Sequence, residues 1–308
     1  MGLLDRIAKV GKSEAPTQAA AVPPEMATHF FVTPRALAAL HEQERRELSP
    51  GESLCFALVN KPDGMSTGIY KLPYPDLERL MVPAISEGAK AFVDKTLVGE
   101  VPAFVVDHTP DEGFVDVGIP TSSGGASNPG RVRLSFDRLL RFHPDFFEPR
   151  EGFDPLEQSA LCVMRLLFGD TRAAVVVGVR PNLVVAAYSD DLDAVALLRF
   201  SPRHADEHQL SVGSRLVTVN TYQPGAGVAS DLHLGPEPQS AAFCNFHPLI
   251  ADLLSEDRRR LAELHQAIPE SEWKHARELG EAAVAAKAPT RSGRPLRAGT
   301  VGIRGDVG

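Results

Sequence analysis

Two histidines in the segment RHADEH, residues 203–208, have the spacing most typical of a metal site in this chain. His204 and His208 are four residues apart with two acidic residues between them, so on a helix both imidazoles would share one face. The segment follows a predicted strand, comes directly after Pro202 and contains no zincin motif. We therefore interpret it as a solvent-exposed loop, with His204 and His208 as candidate metal ligands.

Acid–base chemistry is the second option, and it depends on Asp231 and His233. These residues alternate along the predicted strand 228–234, so their side chains share one face of the strand. An Asp–His pair on a polar sheet surface can transfer protons. If the loop 203–208 folded back onto this strand, it would complete a cluster of His204, His208, Asp231 and His233. That hypothesis requires the imidazoles of His208 and His233 to be close together.

No other stretch of the chain matches a motif that names a reaction. The loop PTSSGGASNPG, residues 120–130, lacks both the Gly-Lys-Ser/Thr ending of a phosphate loop and a GxSxG elbow. Cys244 and His247 are three residues apart, but the cysteine ends an apolar run and is expected to be a buried thiol. We predict no cofactor.

Composition and charge argue against several classes of function. The 308 residues carry a formal net charge of -8 at pH 7, which argues against specific or non-specific nucleic-acid binding by the body of the protein. No apolar run approaches the ~20 residues that a transmembrane helix needs. The three cysteines are far apart and odd in number, which predicts inert thiols in a reducing cytoplasm.

The clearest structural pattern is an apolar meander over residues 173–200. Three apolar runs are joined by two short turns, and such short connections require antiparallel neighbours. Because the runs do not alternate with polar residues, both faces of these strands should be covered. The sequence therefore predicts an α+β fold with a central antiparallel or mixed sheet covered by helices.

Later segments predict outer strands and a helical C-terminal region. In residues 214–222, Leu216, Thr218, Asn220 and Tyr222 alternate, which predicts an outer strand with a polar face. Pro34 and Pro248 are each placed to begin a helix. Residues 255–286 should form a helical hairpin that packs on the sheet.

Composition changes divide the chain into four parts. Residues 1–27 read as an amphipathic peptide plus a linker, and residues 28–150 as an N-terminal α+β half. Residues 151–286 read as a C-terminal α+β half that contains the meander and the hairpin. Residues 287–308 read as a basic tail, and both termini are expected to be disordered.

The two termini carry the functional prediction. Leu3, Leu4, Ile7 and Val10 share one face of a short amphipathic helix. The tail has an apolar centre with Val301 and Ile303 between Arg297 and Arg304, a pattern that suits peptides which order on a partner.

We therefore predict a non-catalytic cytoplasmic adaptor or assembly protein, which docks protein partners through its terminal peptides and a polar sheet face. The alternative is a metal-dependent or acid–base hydrolase that uses the four-residue cluster of His204, His208, Asp231 and His233.

Overall fold

The computed structural model of the chain describes residues 27–61, 64–73, 80–119, 129–148, 153–237 and 242–295. These residues form a mixed α+β protein, and their contacts divide the chain into two units, Met1–Thr121 and Ser122–Gly308.

The boundary expected between residues 150 and 151 falls inside the second unit. The reason is that residues 130–135 bond to later parts of the chain. The N–H of Val132 donates to the Leu166 carbonyl at 3.0 Å, and the N–H of Ser135 donates to the Leu254 carbonyl at 2.9 Å. These bonds tie residues 130–135 to the second unit, although composition changes only some twenty residues later.

Within the described residues, the first unit contains a helix at Pro34–Glu47, a short 3-10 helix at Lys95–Leu97 and two four-stranded sheets. Its elements are β1 (His29–Val32), α1 (Pro34–Glu47), β2 (Ser53–Lys61), β3 (Gly64–Leu72), β4 (Met81–Pro83), β5 (Ile85–Ser86), β6 (Lys90–Asp94), β7 (Ala103–Thr109) and β8 (Gly113–Ile119).

Helix α1 begins where the sequence predicts it. The Thr33 hydroxyl accepts a hydrogen bond from the Ala36 N–H at 3.2 Å, and Pro34 occupies the first helical position. The start at Pro34 is therefore confirmed. Ala36 and Leu40 are buried on the face that packs against the sheets.

One sheet of the first unit has the order β5-β1-β7-β8, and the other has the order β3-β2-β6-β4. Side chains from both sheets form a single apolar core. It contains Phe30 and Phe104 of the sheet β5-β1-β7-β8 and Phe56 and Val93 of the sheet β3-β2-β6-β4. The chain passes directly from one sheet to the other at Ala84, the single residue between β4 and β5.

The second unit is a seven-stranded sheet with helices. Its elements are α2 (Phe136–Phe142), α3 (Pro155–Phe168), β9 (Asp170–Gly178), β10 (Leu183–Ser189), β11 (Ala194–Phe200), α4 (Pro202–Glu207), β12 (Arg215–Pro224), β13 (Leu232–Leu234), β14 (Phe243–Ile250), α5 (Ala251–Leu254), α6 (Arg258–Ala267), α7 (Glu270–Ala285) and β15 (Thr290–Ser292).

The apolar segment 173–200 lies in β9, β10 and β11, which are adjacent and antiparallel. Helix α7 lies on these strands, and Gly280 allows the close approach. A Cβ at Gly280 would stand 2.5 Å from the Cβ of Ala186 and 2.9 Å from Cγ1 of Val177. A small residue is therefore required where the helix touches the sheet.

The expected polar outer face of β12 is not found. Strand β12 lies between β9 and β14, and Thr218 and Asn220 are buried. The Thr218 hydroxyl donates to Oδ1 of Asn220 at 2.9 Å, and Nδ2 of Asn220 donates to the Tyr188 carbonyl at 2.7 Å. These polar side chains satisfy one another inside the protein instead of facing solvent.

Pro248 lies in strand β14 and not at a helix start, so that prediction was wrong. Among the described strands β14 pairs only with β12, and an edge strand tolerates a proline because one side of it needs no N–H donor.

Part of the tail that was expected to be disordered from residue 287 is ordered. Thr290–Ser292 forms β15, which pairs in parallel with β11. Two interactions hold it: Arg291 donates to both carboxylate oxygens of Asp231 at 2.6 and 2.7 Å, and the Gly293 N–H donates to the Arg199 carbonyl at 2.9 Å. The polar composition of residues 290–292 predicted a solvent-exposed segment. Pairing with β11 and the ion pair between Arg291 and Asp231 hold these residues in a strand instead.

Across the described ranges, each helix is too short or too polar to cross a lipid bilayer.

Candidate binding cleft between two edge strands

The first unit has a cleft between β3 and β8. Each strand is the last in its sheet, and among the described strands β3 pairs only with β2 and β8 only with β7. On the opposite side the sheets are joined at Ala84, whose N–H donates to the Ala91 carbonyl at 2.9 Å. The sheets are thus connected on one side and open on the other.

Strand register shows which side chains face the cleft. Thr67 and Ile69 lie opposite Leu58 and Phe56, which belong to the core between the sheets, so these two β3 side chains face inward. On β8, Asp116 lies directly opposite the buried Val106 and therefore also faces inward.

A cavity of about 190 Å³ fills the space between the two edges. Its walls are mostly apolar, and Phe56 and Phe114 meet edge to face with ring centroids 5.6 Å apart. The lining residues are Phe56, Thr67, Gly68, Ile69, Val106, Phe114, Val115 and Asp116. The volume is below the ~300 Å³ of a typical small-ligand pocket. It suits an anchoring side chain better than a cofactor.

One hydrogen bond crosses the cleft. The Thr67 hydroxyl donates to Oδ2 of Asp116 at 3.0 Å. Asp116 is exposed, and no ion pair to it is found within the described part of the chain. The rim of the cleft therefore carries an uncompensated negative charge.

Met65 extends the apolar surface past the cavity. It alternates with Thr67 and Ile69 along β3, so it shares their face, and half of it (50%) is exposed. Unbranched methionine side chains adapt to different partners. The cleft thus offers an apolar cavity, an exposed methionine, a carboxylate and two strand edges.

The structure places His204 and His208 differently from the expected loop. Residues 202–207 form helix α4, which Ser201 caps. His204 is buried and stacks on Phe142 with ring centroids 4.3 Å apart. Burial lowers the pKa of both His204 and His208. His204 therefore packs as an aromatic ring.

The predicted cluster of four residues is not assembled. His233 lies opposite Val195 near the start of β11, whereas His204 and His208 follow the end of that strand at Phe200. Five strand residues separate these positions, which corresponds to about 16 Å.

Asp231 is held by Arg291 instead, and the hydrogen bonds from that guanidinium lower the pKa of the Asp231 carboxyl. The described residues contain no group of three or more His, Cys, Asp or Glu side chains placed to hold a metal ion. The register of β13 on β11 places His233 near the start of β11, away from the end that leads to His204 and His208.

The predicted docking residues of both termini lie outside the described ranges. They are Leu3, Leu4, Ile7, Val10, Arg297, Val301, Ile303 and Arg304.

Sequence reasoning missed an Asp–His pair in the second unit, in which the aspartate is buried and the histidine half-buried. Nε2 of His275 lies 2.6 Å from Oδ1 of Asp193, and the Tyr188 hydroxyl donates to the same oxygen at 3.3 Å. The Glu237 N–H donates to the other carboxylate oxygen at 2.8 Å. Burial raises the pKa of Asp193, but these hydrogen bonds outweigh that effect and hold the pKa below its ordinary value.

Sequence reasoning missed the cleft as well. The alternation of Met65, Thr67 and Ile69 in the segment GMSTGIY was a usable signal for β3. No local signal connects Thr67 with Asp116, or Asp193 with His275, because these partners are far apart in the sequence.

No protein-family model, curated protein or solved structure matches this chain.

Proposed function

We propose that this protein is a non-catalytic interaction protein that binds an extended peptide segment of a partner between β3 and β8. The observation that carries the proposal is the pair of open strand edges facing each other across an apolar cavity. Unpaired strand edges present rows of backbone donors and acceptors to any extended chain that fits between them.

The chemistry of the cleft defines the peptide. Its backbone adds a strand to β3, to β8 or to both, and this pairing supplies affinity without sequence preference. An apolar side chain enters the cavity against Phe56 and Phe114. A Lys or Arg beside that anchor pairs with Asp116, which no cation in the described ranges neutralises.

The adaptor role extends this proposal to the whole chain. The terminal residues predicted to dock partners remain part of it, so the cleft would hold one partner and the termini another. The polar sheet face no longer contributes, because Thr218 and Asn220 are buried. A reducing cytoplasm also remains part of the proposal, in keeping with the free thiols of Cys55, Cys162 and Cys244.

The hydrolase alternative has no comparable support. Its candidate residues His204, His208, Asp231 and His233 stand at opposite ends of β11, and Asp231 is engaged by Arg291.

A peptide library displayed on phage and selected on the full-length chain tests the proposal. We expect enriched peptides to carry one large apolar residue with a Lys or Arg near it. Affinities are then measured by fluorescence polarisation. Asp116→Lys replaces attraction by repulsion and should weaken binding about tenfold or more, which corresponds to about 1.4 kcal/mol or more. Thr67→Trp fills the cleft and should abolish binding.

The matched control is Asp111→Lys. It makes the same charge change on the turn between β7 and β8, at an exposed position outside the cleft lining. Its affinity should stay within about twofold of the wild type. If no peptide is enriched, or if Asp111→Lys weakens binding as much as Asp116→Lys, the cleft is not the binding site.

A further inference from the structure

Strand β8 presents an apolar and a charged group to the cleft at a fixed spacing. Phe114 and Asp116 are two residues apart on the same face of β8, and both line the cavity. Phe114 packs edge to face on Phe56, whereas Asp116 is exposed and has no cation paired with it in the described ranges. A strand that paired in parallel with β8 would match these groups with an apolar residue followed, two residues later, by a cation.

The first twelve residues of the chain contain that spacing three times, each time with the apolar residue first. The pairs are Leu4 and Arg6, Ile7 and Lys9, and Val10 and Lys12. Because side chains alternate along an extended chain, the two members of each pair share one face. A helix of this length is not stable alone, so the segment requires a surface to order it. The order within each pair matches Phe114 followed by Asp116.

Charge complementarity also favours the N-terminal segment. Residues 1–12 carry three cations and one acid, Asp5, and the cleft carries the uncompensated carboxylate of Asp116. The basic C-terminal tail does not match in the same way. Two residues after Val301 comes Ile303, and two residues after Ile303 comes a glycine, so neither apolar residue has a cation at the required position.

The described chain begins close to the open end of the cleft. His29 of β1 pairs with Ala103 of β7, and Ala103 pairs with Ile119 at the end of β8. The start of β1 therefore lies two strands away from the end of β8, which corresponds to about 10 Å. All of these residues belong to the first unit, as do residues 1–26.

The segment between them is long enough to connect the two places. With Ile7 beside Phe114 in a parallel strand, residue 12 comes level with Ile119. Residues 13–28 then have to cross the distance to β1, and a segment of that length spans up to about 50 Å when it is extended. As a flexible chain it has an end-to-end distance of about 20 Å, so the crossing requires no strained conformation.

We propose that residues 6–12 of the same chain occupy the cleft when no partner peptide is bound. They form a strand parallel to β8, with Ile7 in the apolar cavity and Lys9 on the carboxylate of Asp116. The proposal rests on the proposed function, because it assigns an occupant to that peptide-binding cleft. A partner peptide must displace this segment, and its displacement releases the N-terminal residues for the docking role proposed above.

Tethering makes a weak interaction sufficient for this regulation. A short flexible linker gives an effective concentration of about 1 mM at the cleft. A segment that binds alone with a Kd of about 100 μM would then fill the cleft about nine-tenths of the time and weaken a competing peptide about tenfold.

The test uses full-length chains and a fluorescein-labelled synthetic peptide of residues 2–12, with binding followed by fluorescence polarisation. The triple variant combines Leu4→Asn, Ile7→Asn and Val10→Asn, which removes the three apolar anchors from the chain itself. The peptide should bind the triple variant about tenfold more tightly than it binds the wild type, because the tethered segment no longer competes. Adding Asp116→Lys to the triple variant should remove most of this binding.

The matched control makes the same kind of change in the other terminus. A chain with Val301→Asn and Ile303→Asn should bind the peptide as weakly as the wild type does. The wild type should also be monomeric in sedimentation equilibrium at the concentrations used.

Several results would overturn the inference. The peptide of residues 2–12 could fail to bind the triple variant, or bind it no more tightly than the wild type. Equal gains in the triple variant and in the tail variant would show that the occupant is not the N-terminal segment. A wild-type dimer that the triple variant abolishes would place the segment in the cleft of a second copy.

Phage-selected peptides distinguish these results from a failure of the proposed function. If they bind the triple variant in a manner that Asp116→Lys weakens, while the peptide of residues 2–12 does not bind, the cleft binds peptides and only the assignment of its occupant is wrong. If neither kind of peptide binds, both proposals are wrong.

Discussion

At the scale of single residues, the contacts of Asp193, including its hydrogen bond with His275, can be tested by substitution. Asp193 lies in the turn between β10 and β11 with a φ of 40°, in the left-handed region that Asp and Asn tolerate. Its carboxylate accepts hydrogen bonds from β10, from α7 and from the segment after β13. One side chain thus connects three parts of the second unit.

We expect Asp193→Asn to lower the free energy of unfolding by about 1–3 kcal/mol at neutral pH. Because asparagine also tolerates the left-handed backbone conformation, the decrease in the free energy of unfolding measures the loss of the carboxylate and not added backbone strain. Urea denaturation followed by the fluorescence of Trp273, the only tryptophan of the chain, measures it.

The pH dependence of this effect has a definite sign. The pKa of Asp193 is lower in the folded protein than its ordinary value of 3.8, so its stabilisation is present above that value and is lost as the pH falls below it. The difference between wild type and Asp193→Asn should therefore shrink on acidification to about pH 3.

The control for this prediction is Asp206→Asn. Asp206 is exposed, and its ion pair with Arg180 is a surface pair. Its loss should cost less than about 0.5 kcal/mol. A smaller effect for Asp193→Asn than for Asp206→Asn would contradict this account of the Asp193–His275 pair.

At the scale of elements, β13 and β15 together protect one edge of the large sheet. β13 pairs with Ala194–Ala196 of β11, and β15 pairs with the following three residues, Leu197–Arg199. The ion pair between Arg291 of β15 and Asp231, the residue directly before β13, connects these two parts of the edge. Covering an edge in this way prevents it from pairing with other chains.

Arg291→Ala should release β15 from this edge. Asp231 would lose both of its charged hydrogen bonds while remaining largely buried, at a cost of about 2–4 kcal/mol. Hydrogen exchange at residues 290–293 should become faster, with much smaller changes in β9 and β10. Arg294→Ala is the control, because Arg294 is exposed and, among the described residues, its hydrogen bond comes from the backbone N–H and not from the side chain. Unchanged exchange at β15 in Arg291→Ala would show that the strand does not depend on this pair.

Local sequence patterns predicted some elements well, for a physical reason. The start of α1 depends on Thr33 and Pro34, which act within one turn of the helix. The position of Pro248 was misjudged because a proline at a helix start and a proline on a strand edge both lack a required N–H. Only the pairing of β14 with β12 distinguishes the two.

At the scale of the whole molecule, all described strand pairs join residues of the same unit. We therefore expect residues 1–121 and 122–308 to fold when they are expressed separately. The fragment 122–308 should reproduce the Trp273 emission spectrum and the urea midpoint of the full chain.

A fragment of residues 151–308 is the informative comparison. It begins at the boundary that composition suggested and lacks the bonds of Val132 to Leu166 and of Arg260 to the Gly130 carbonyl, the latter at 3.0 Å. It should unfold at lower urea than 122–308. If the two fragments were equally stable, residues 122–150 would not be needed for the second unit to fold, and its boundary would lie near residue 150.

The sequence by itself determined the α+β class, the helix beginning at Pro34 and the apolar character of residues 173–200, because these depend on composition and on periodicity over a few neighbouring residues. The tertiary structure alone decided that Thr67 meets Asp116, that Asp193 meets His275, and that His233 lies far from His204. Such contacts depend on which strands pair and in which register, and this choice is made by burying the whole apolar surface at once. For the same reason residues 290–292 form a strand: their own sequence does not favour one, and the edge of β11 together with Asp231 supplies the partners that order them.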